Sequence, residues 1–258
     1  MLQSFAGGTM FGEVWGSLPP RVLALHGWRR THADFVGVVG PSSPTAALDA
    51  LALDLPGFGA TPPPPEPWGS SSYADAVAGV LEEVGIASGT SPVVVLGHSF
   101  GGRVALALAA EHPGMVAGLV LTGTPLGPAD GRQVRPPLGF RIARHMNRAG
   151  ILGDTRMEKA RRRYGSADYA AAQGVMRQVL VNVLAEKYAR WLSSLSCPVE
   201  LVWGSDDTEA PVEVARRMMA LVPTGPSLTV CEGAGHMTPF TAPEDLRAAV
   251  GRLLEGRT

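Results

Sequence analysis

The sequence predicts an α/β protein in which a mostly parallel sheet carries helices on both faces. Strand-like and helix-like segments alternate along most of its 258 residues, which is the pattern of such a sheet. Several short apolar runs also end at glycine, histidine or aspartate, so polar side chains follow strand ends at one edge of the sheet. Hydrophobic residues make up 45% and charged residues 17%, a balance typical of a globular chain that buries a sizeable core.

Eight strands are expected in chain order. Residues 4–16 alternate in polarity and carry a glycine pair, which favours an antiparallel hairpin of two strands. Short apolar runs predict six more strands, at 21–25, 48–53, 92–96, 116–121, 199–203 and 228–230.

Helices are expected between these strands. Helical spacing predicts them at 73–84, 102–110, 212–221 and 243–254, and Ser70 to Ser72 are cap candidates for the first. The Pro-rich stretch at 61–67 excludes a regular helix or a central strand there, so we expect a loop.

The segment from residue 125 to residue 191 departs from this alternation. It has no convincing strand and several helical stretches separated by glycines. Between Ala129 and Arg190 there are 13 Arg or Lys and 5 Asp or Glu, a balance of +8, whereas the remaining 9 basic and 18 acidic residues give −9. We therefore predict a basic helical insertion at 125–191 within a core domain formed by 1–124 and 192–258.

Charge and cysteine content restrict the class of protein. The net charge of −1 indicates neither a nucleic-acid nor a membrane partner, and no apolar run approaches the ~20 residues of a membrane span. Residues 1–9 lack a basic segment followed by an apolar one, so we expect a cytoplasmic protein. Cys197 and Cys231 are predicted near opposite edges of the sheet, where they are expected to be buried free thiols.

The most specific motif is Gly97-His98-Ser99-Phe100-Gly101, which lies between an apolar β-branched run and a helix-like run. The pattern G-x-S-x-G in this setting is typical of a sharp strand-to-helix turn that exposes the hydroxyl of its serine. The alternative is a glycine-rich connection in which Ser99 only caps the helix. The choice depends on whether a base, an acid and an oxyanion site occur where such a serine needs them.

Residues that suit a base and an acid follow the last two predicted strands. A serine becomes a nucleophile when a neighbouring base takes its proton and a carboxylate orients that base. His236 lies in the glycine-rich turn after the last strand, and Asp206 and Asp207 follow the strand before it. The residues alone leave these two aspartates as alternatives, and Asp54 is a rival that can instead anchor its own Pro-Gly turn. The order serine, acid, histidine is that of a nucleophile elbow.

Candidate groups also exist for stabilising an oxyanion and for lining a pocket. The backbone N–H of Phe100, at the start of the helix, is one oxyanion donor, and that of Trp28 is the second. Gly27 allows close approach of the backbone to a substrate, and His26 is interpreted as a structural residue that shapes this loop. Trp28 and Met237 are candidate substrate-binding side chains. No metal or cofactor is expected.

These motifs together resemble the α/β-hydrolase fold superfamily, specifically its serine-nucleophile, esterase-like members with a helical cap. The resemblance covers nearly the whole chain and rests on 26–28, 54–59, 97–102, 203–207 and 235–236. It implies an eight-stranded sheet, a cap formed by 125–191, and Asp207 as the acid, because that family usually places the acid three residues after the strand-end glycine.

The resemblance also implies a reaction: hydrolysis of a small carboxylic ester through an acyl-enzyme, without a cofactor. Ser99 in place of an aspartate disfavours haloalkane dehalogenase and soluble epoxide hydrolase chemistry. Three alternatives stay open, namely a C–C bond hydrolase, an acyl-carrier-protein methyl ester esterase and a non-catalytic ligand receptor. Met237 weakens the first, since those hydrolases usually have tryptophan closely after the histidine. The second alternative is based on basic residues of the insertion, which resemble those that bind an acidic carrier protein in a member of this family. The same residues are also compatible with ordinary solvated helix faces. They are Arg156, Lys159, Arg161, Arg162 and Arg163.

Overall fold

The computed structural model describes residues 1–42, 48–87, 89, 91–126, 146, 153, 156 and 167–256. Eight strands of these residues form one sheet. In chain order they are β1 (Leu2–Phe5), β2 (Met10–Trp15), β3 (Val22–Leu25), β4 (Ala50–Asp54), β5 (Val93–His98), β6 (Val116–Thr122), β7 (Val199–Gly204) and β8 (Ser227–Cys231).

The spatial order of the strands is β1-β2-β4-β3-β5-β6-β7-β8. β1 pairs antiparallel with β2, as the predicted hairpin requires, and β2 pairs antiparallel with β4. All the other neighbouring strands are parallel, so the predicted eight-stranded, mostly parallel sheet is confirmed. The parallel register brings the carboxyl ends of β3, β5, β7 and β8 to the same edge, with Leu25 opposite Gly97 and Gly204 opposite Cys231.

Helices cover both faces of the sheet. One face, with Leu23 and Leu25, packs against the helices at 70–83 and 100–111, and the other, with Val22 and Ala24, packs against the helix at 243–255. Successive side chains of β3 therefore point to opposite faces of the sheet, and the strand is buried on both sides. The helices are α1 (Ser70–Glu83), α2 (Phe100–Glu111), α3 (Ala167–Ala171), α4 (Gly174–Ala185), α5 (Ala189–Ser194), α6 (Val212–Leu221), α7 (Thr238–Thr241) and α8 (Pro243–Glu255).

The predicted cap of α1 is wrong. The helix begins at Ser70, so the three serines lie inside its first turn, and Gly69 at the N-cap supplies no side-chain hydrogen bond. The carboxylate of Glu186 instead accepts the backbone N–H of Ser70 at 2.7 Å and its hydroxyl at 2.6 Å. A carboxylate is favourable at a helix N-terminus, so a distant residue takes the role that the sequence assigned to a local one.

Cys197 and Cys231 are both buried and free, as predicted.

The second half of the basic insertion contains the helices α3, α4 and α5. Of its basic residues, Arg156 is exposed, whereas Lys159 and Arg161 to Arg163 lie outside the described residues. Within the described ranges, no helix is long and apolar enough to cross a membrane.

Candidate active site

Ser99 occupies the sharp turn between β5 and α2. Its φ of 50° and ψ of −112° lie in a region that residues with a side chain rarely adopt. Such a conformation costs on the order of 1–3 kcal/mol and persists only where the surrounding structure enforces it. The backbone N–H of Ser99 donates to the carbonyl of Thr122 on β6 at 3.0 Å, which helps to fix the turn.

The two glycines of the motif are required by close backbone approach. A Cβ atom on Gly97 would lie 2.6 Å from the Cα of Gly102, and one on Gly101 would overlap the carbonyl of Leu25 on β3. Neither residue has a positive φ. The glycines therefore allow α2 to start directly against the sheet, which leaves Ser99 at its edge.

Ser99, His236 and Asp207 form a continuous hydrogen-bonded chain. Nε2 of His236 lies 3.1 Å from Oγ of Ser99, and Nδ1 lies 2.9 Å from Oδ2 of Asp207. The Asp207 side chain is only 1% exposed, and its Oδ1 also accepts the backbone N–H groups of Glu209 at 2.9 Å and Ala210 at 2.8 Å. These bonds hold the carboxylate in one orientation towards the imidazole.

The competing aspartates are engaged elsewhere. Asp206 is exposed and accepts a hydrogen bond from the hydroxyl of Ser205 at 2.9 Å. Asp54 accepts the backbone N–H of Ala60 at 2.9 Å, as expected for the anchor of its own turn, and contacts Nδ1 of His32 at 2.8 Å. Of the three aspartates, only Asp207 contacts His236 in the described structure.

The surroundings of His236 favour its protonated form. Burial by itself lowers the pKa of His236, but the hydrogen bond and negative charge of Asp207 outweigh this effect. Glu209 and Asp168 add to the rise, and the pKa lies above its ordinary value. Gly123 leaves room for the ring, since a Cβ atom there would lie 3.1 Å from its Cε1 and Nδ1 atoms.

His98 supports the loop that carries His236. Its Nε2 donates to the carbonyl oxygen of His236 at 2.9 Å, and the two ring centroids are 5.0 Å apart. Burial lowers the pKa of His98 to about 4, so its ring is neutral near neutral pH. Its Nδ1 has no hydrogen-bond partner within the described part of the chain.

His26 has the structural role that the sequence suggests. The backbone N–H of Leu55 donates to Nε2 of His26 at 2.9 Å, so Nδ1 carries the proton and donates to the carbonyl of Gly27 at 2.7 Å. Burial lowers the pKa of His26 to about 4. The neutral ring thereby ties the loop after β3 to the end of β4.

A cleft of about 310 Å³ opens at Ser99 and His236. Both predicted substrate-binding residues, Trp28 and Met237, lie on its wall. The sequence interpretation did not assign four charged residues that also line the cleft: Arg29, Arg30, Asp168 and Glu209. Glu209 had a local signal, because it closes an acidic turn two residues after Asp207, whereas nothing in the sequence distinguished Asp168 from other charges of the insertion.

The two arginines of the cleft differ in their pairing. Arg30 makes two bonds to Asp34, at 2.6 and 2.8 Å. Arg29 is exposed, has a φ of 58°, and lies 3.9 Å from Asp168 across the cleft. The charge of Arg30 is therefore neutralised locally, while the ion pair that Arg29 makes among the described residues is a long one.

The candidate oxyanion donors lie next to Ser99. A Cβ atom on Gly27 would be 3.3 Å from the Cβ of Ser99, so the loop that continues into Trp28 passes directly beside the nucleophile. Phe100 is the first residue of α2, whose initial N–H groups have no acceptor within the helix. The ring of Trp28 packs 5.3 Å from that of Phe100 and 4.9 Å from that of Phe58, which fixes this wall of the cleft.

Among the described residues, no three His, Cys, Asp or Glu side chains converge in a way that could hold a metal ion.

The chain is similar to known hydrolases in both sequence and structure. A model of the alpha/beta hydrolase family matches residues 22–249. Lipase LipV of Mycobacterium tuberculosis is 31% identical over 245 residues, which cover 92% of this chain and 82% of the lipase. The pimeloyl-[acyl-carrier protein] methyl ester esterase of Neisseria meningitidis is 29% identical over 261 residues, which cover 92% of this chain and 94% of the esterase. A thermophilic esterase from Thermogutta terrifontis shares the fold, with a TM-score of 0.69 and 23% identity over 99% of this chain and 98% of the other.

Proposed function

The chain belongs to the alpha/beta hydrolase family, and we propose that it is a serine hydrolase that cleaves carboxylic esters. The observation that carries the proposal is the hydrogen-bonded chain from Ser99 through His236 to the buried Asp207, with Ser99 lifted to the sheet edge by its turn. A lone serine hydroxyl is a poor nucleophile, and this arrangement supplies the base and the orienting acid that it needs.

In the acylation step, Oγ of Ser99 attacks the carbonyl carbon of the ester while Nε2 of His236 takes the hydroxyl proton. Asp207 accepts the N–H at Nδ1, which leaves the Nε2 lone pair directed at Ser99 and stabilises the imidazolium that forms. The tetrahedral intermediate then collapses, the bond to the alcohol oxygen breaks, and His236 returns the proton to that oxygen. The product is an acyl-enzyme and a free alcohol.

The oxyanion of the tetrahedral intermediate requires donors placed before the reaction starts. We assign this role to the backbone N–H groups of Trp28 and Phe100. The approach of Gly27 to Ser99 and the position of Phe100 at the start of α2 support the assignment. The positive end of the helix dipole favours the same negative charge.

In the deacylation step, water replaces the alcohol at the same centre. His236 takes a proton from the water molecule as its oxygen attacks the acyl carbon, and Ser99 leaves with that proton returned to Oγ. The carboxylic acid is released and the enzyme is regenerated. Apart from this water molecule, the proposed steps need side chains and backbone groups of this chain.

We also propose that residues 125–191 form a cap over the cleft, inserted into a core of 1–124 and 192–258. Asp168 of α3 lines the cleft, and Trp28 packs against Tyr169 of α3 and Leu180 of α4. Such a position would let this segment decide which acyl and alcohol groups enter. A cytoplasmic location stays a prediction.

A second candidate is an esterase whose substrate is attached to an acidic carrier protein. The +8 charge between Ala129 and Arg190 and the similarity to the Neisseria meningitidis esterase favour it. This candidate keeps the same chemistry at Ser99 and changes only the partner that delivers the ester.

The main proposal predicts covalent labelling of Ser99. A fluorophosphonate probe should modify the folded protein at Ser99, because the activated hydroxyl attacks phosphorus as it would a carbonyl carbon. Ser99→Ala should abolish labelling and reduce hydrolysis of p-nitrophenyl esters by roughly 10⁴-fold or more. Peptide mass spectrometry locates the label.

Ser193→Ala, at an exposed serine on α5, is the matched control and should be labelled like the native protein. Folded native protein that takes up no label and turns over no ester would refute the proposal. A ligand-induced rise in melting temperature without turnover would then favour a receptor.

A further inference from the structure

A second carboxylate lies beside His236, on the side opposite to Asp207. Oε2 of Glu209 is 3.6 Å from Nε2, the ring nitrogen that also contacts Ser99 at 3.1 Å. Asp207 is paired with the other nitrogen, Nδ1. The imidazole therefore lies between two carboxylates, and the mechanism proposed above uses only one of them.

The position of Glu209 is set by the same turn that holds Asp207. Its backbone N–H donates to Oδ1 of Asp207 at 2.9 Å, so the main chain of Glu209 is fixed against the buried acid. Its side chain is 69% exposed and reaches the wall of the cleft. The backbone of Glu209 is thus fixed while its carboxylate faces solvent, so salt can screen the interaction of this carboxylate with His236.

The two protonation states of His236 interact differently with Glu209. In the neutral ring, Nδ1 carries the proton towards Asp207, and Nε2 presents a lone pair that a carboxylate cannot bind. In the imidazolium, Nε2–H is a donor whose nitrogen lies 3.1 Å from Oγ of Ser99 and 3.6 Å from Oε2 of Glu209. Attraction to Glu209 thus exists only in the protonated state.

We propose that Glu209 is a positioning residue that stabilises the protonated ring of His236 from the side that faces Ser99. The inference rests on the proposed function, in which that protonated ring forms each time Oγ or water loses its proton. Glu209 then assists both proton abstractions, and it also keeps His236 protonated and inactive over a wider range of acidic pH. The raised pKa of His236, with Glu209 among its causes, is consistent with this role.

Other charged groups face the same ring or cleft. Asp207 comes from the loop after β7 and Asp168 from α3, and the ring of His98, with its centroid 5.0 Å away, is neutral near neutral pH. Arg29 and Arg30 line the cleft but are paired with Asp168 at 3.9 Å and Asp34 at 2.6 Å, respectively. Within the described residues, Glu209 is the carboxylate that contacts the reactive nitrogen.

The inference is tested by titrating His236 in histidine-labelled protein by NMR, with H236Q to assign its resonance. In E209Q, the acid dissociation constant of His236 should rise about 2- to 5-fold at low salt, a fall in pKa of about 0.3 to 0.7 unit. At about 1 M salt, where the Debye length is about 3 Å, native protein and E209Q should nearly coincide. E213Q removes another exposed carboxylate, 55% exposed and paired with Arg216 on α6, and should leave the titration unchanged.

Kinetics provide a second readout. The acidic limb of the kcat/KM profile should move to lower pH in E209Q by the same amount, and its plateau should fall a few-fold. An unchanged His236 titration, or an equal shift in E213Q, would overturn the inference. If the titration shifts but the native protein hydrolyses no ester, the interaction between Glu209 and His236 is supported and the proposed function is refuted instead.

Discussion

At the scale of single residues, burial distinguishes two adjacent aspartates that the local sequence leaves equivalent. Asp207 turns inward, accepts two backbone N–H groups and contacts His236, while Asp206 stays exposed beside Ser205. A buried carboxylate with fixed hydrogen bonds can orient an imidazole, whereas an exposed one is free to reorient and is screened by water. The structure therefore supports the choice of Asp207, which on sequence rested on family resemblance.

This difference predicts unequal effects of two matched substitutions. Asp207→Asn removes the charge and lets an amide N–H face Nδ1, which favours the wrong tautomer of His236, so kcat should fall by about 10⁴-fold. Asp206→Asn should change kcat less than about 3-fold, since Asp206 is exposed and bonds to the hydroxyl of Ser205 rather than to His236. Steady-state hydrolysis of a short p-nitrophenyl ester measures both. The reverse ranking would identify Asp206 as the acid.

At the scale of the elements, a buried arginine joins the helix after the nucleophile to both ends of the inserted segment. Arg103 of α2 donates to the carbonyl of Val183 on α4 at 2.8 Å and to that of Pro125 after β6. It also reaches the hydroxyl of Tyr188 at 3.1 Å, and that tyrosine contacts Glu186, the carboxylate at the start of α1. One guanidinium thus connects elements that are far apart in the chain.

Loss of this connection should destabilise the protein. Arg103→Met keeps much of the apolar volume but removes the charged donor from the carbonyls of Val183 and Pro125, which should lower the free energy of unfolding by about 1–3 kcal/mol. Arg216→Met, on the exposed face of α6, should cost less than about 0.5 kcal/mol. Urea denaturation followed by circular dichroism compares the two. Equal stability of Arg103→Met and native protein would show that Arg103 is dispensable.

At the scale of the whole molecule, charge is distributed unevenly. The segment between Ala129 and Arg190 carries +8 and the remainder −9, although the net charge is only −1. Basic residues concentrated in one part of a chain attract acidic partners at long range and affect encounter more than chemistry. This asymmetry is the physical basis of the carrier-protein candidate.

That candidate predicts a substrate-dependent effect of charge reversal. Replacing Arg161, Arg162 and Arg163 by glutamate should raise KM at least about 10-fold for esters attached to an acidic carrier protein, with kcat and small-ester hydrolysis unchanged. The same comparison at high salt should reduce the difference, because screening weakens the attraction. Equal changes for carrier-linked and free esters would refute docking at this segment.

The sequence by itself determined the sheet, most helix positions and the motifs that lie at strand ends. These features depend on local rules: short apolar runs and one alternating stretch predict the strands, and glycines mark the turn at Ser99, where a side chain would overlap Leu25. The order of the motifs was enough to nominate Ser99, His236 and an aspartate from the turn at 206–207. Their catalytic roles stay predictions that the experiments above test.

Only the tertiary structure decided which charges act together. The carboxylate of Glu186 caps α1 from 116 residues away, and Arg103 reaches Val183 and Tyr188 across 80 and 85 residues. The Arg29–Asp168 pair across the cleft likewise joins two distant parts of the chain. The packing of helices and strands decides which long side chains come into contact. The spacing of residues along the sequence does not predict such contacts between distant segments. Even Glu209, two residues from Asp207, acquired its position beside Nε2 only because Asp207 is buried and its turn faces the ring.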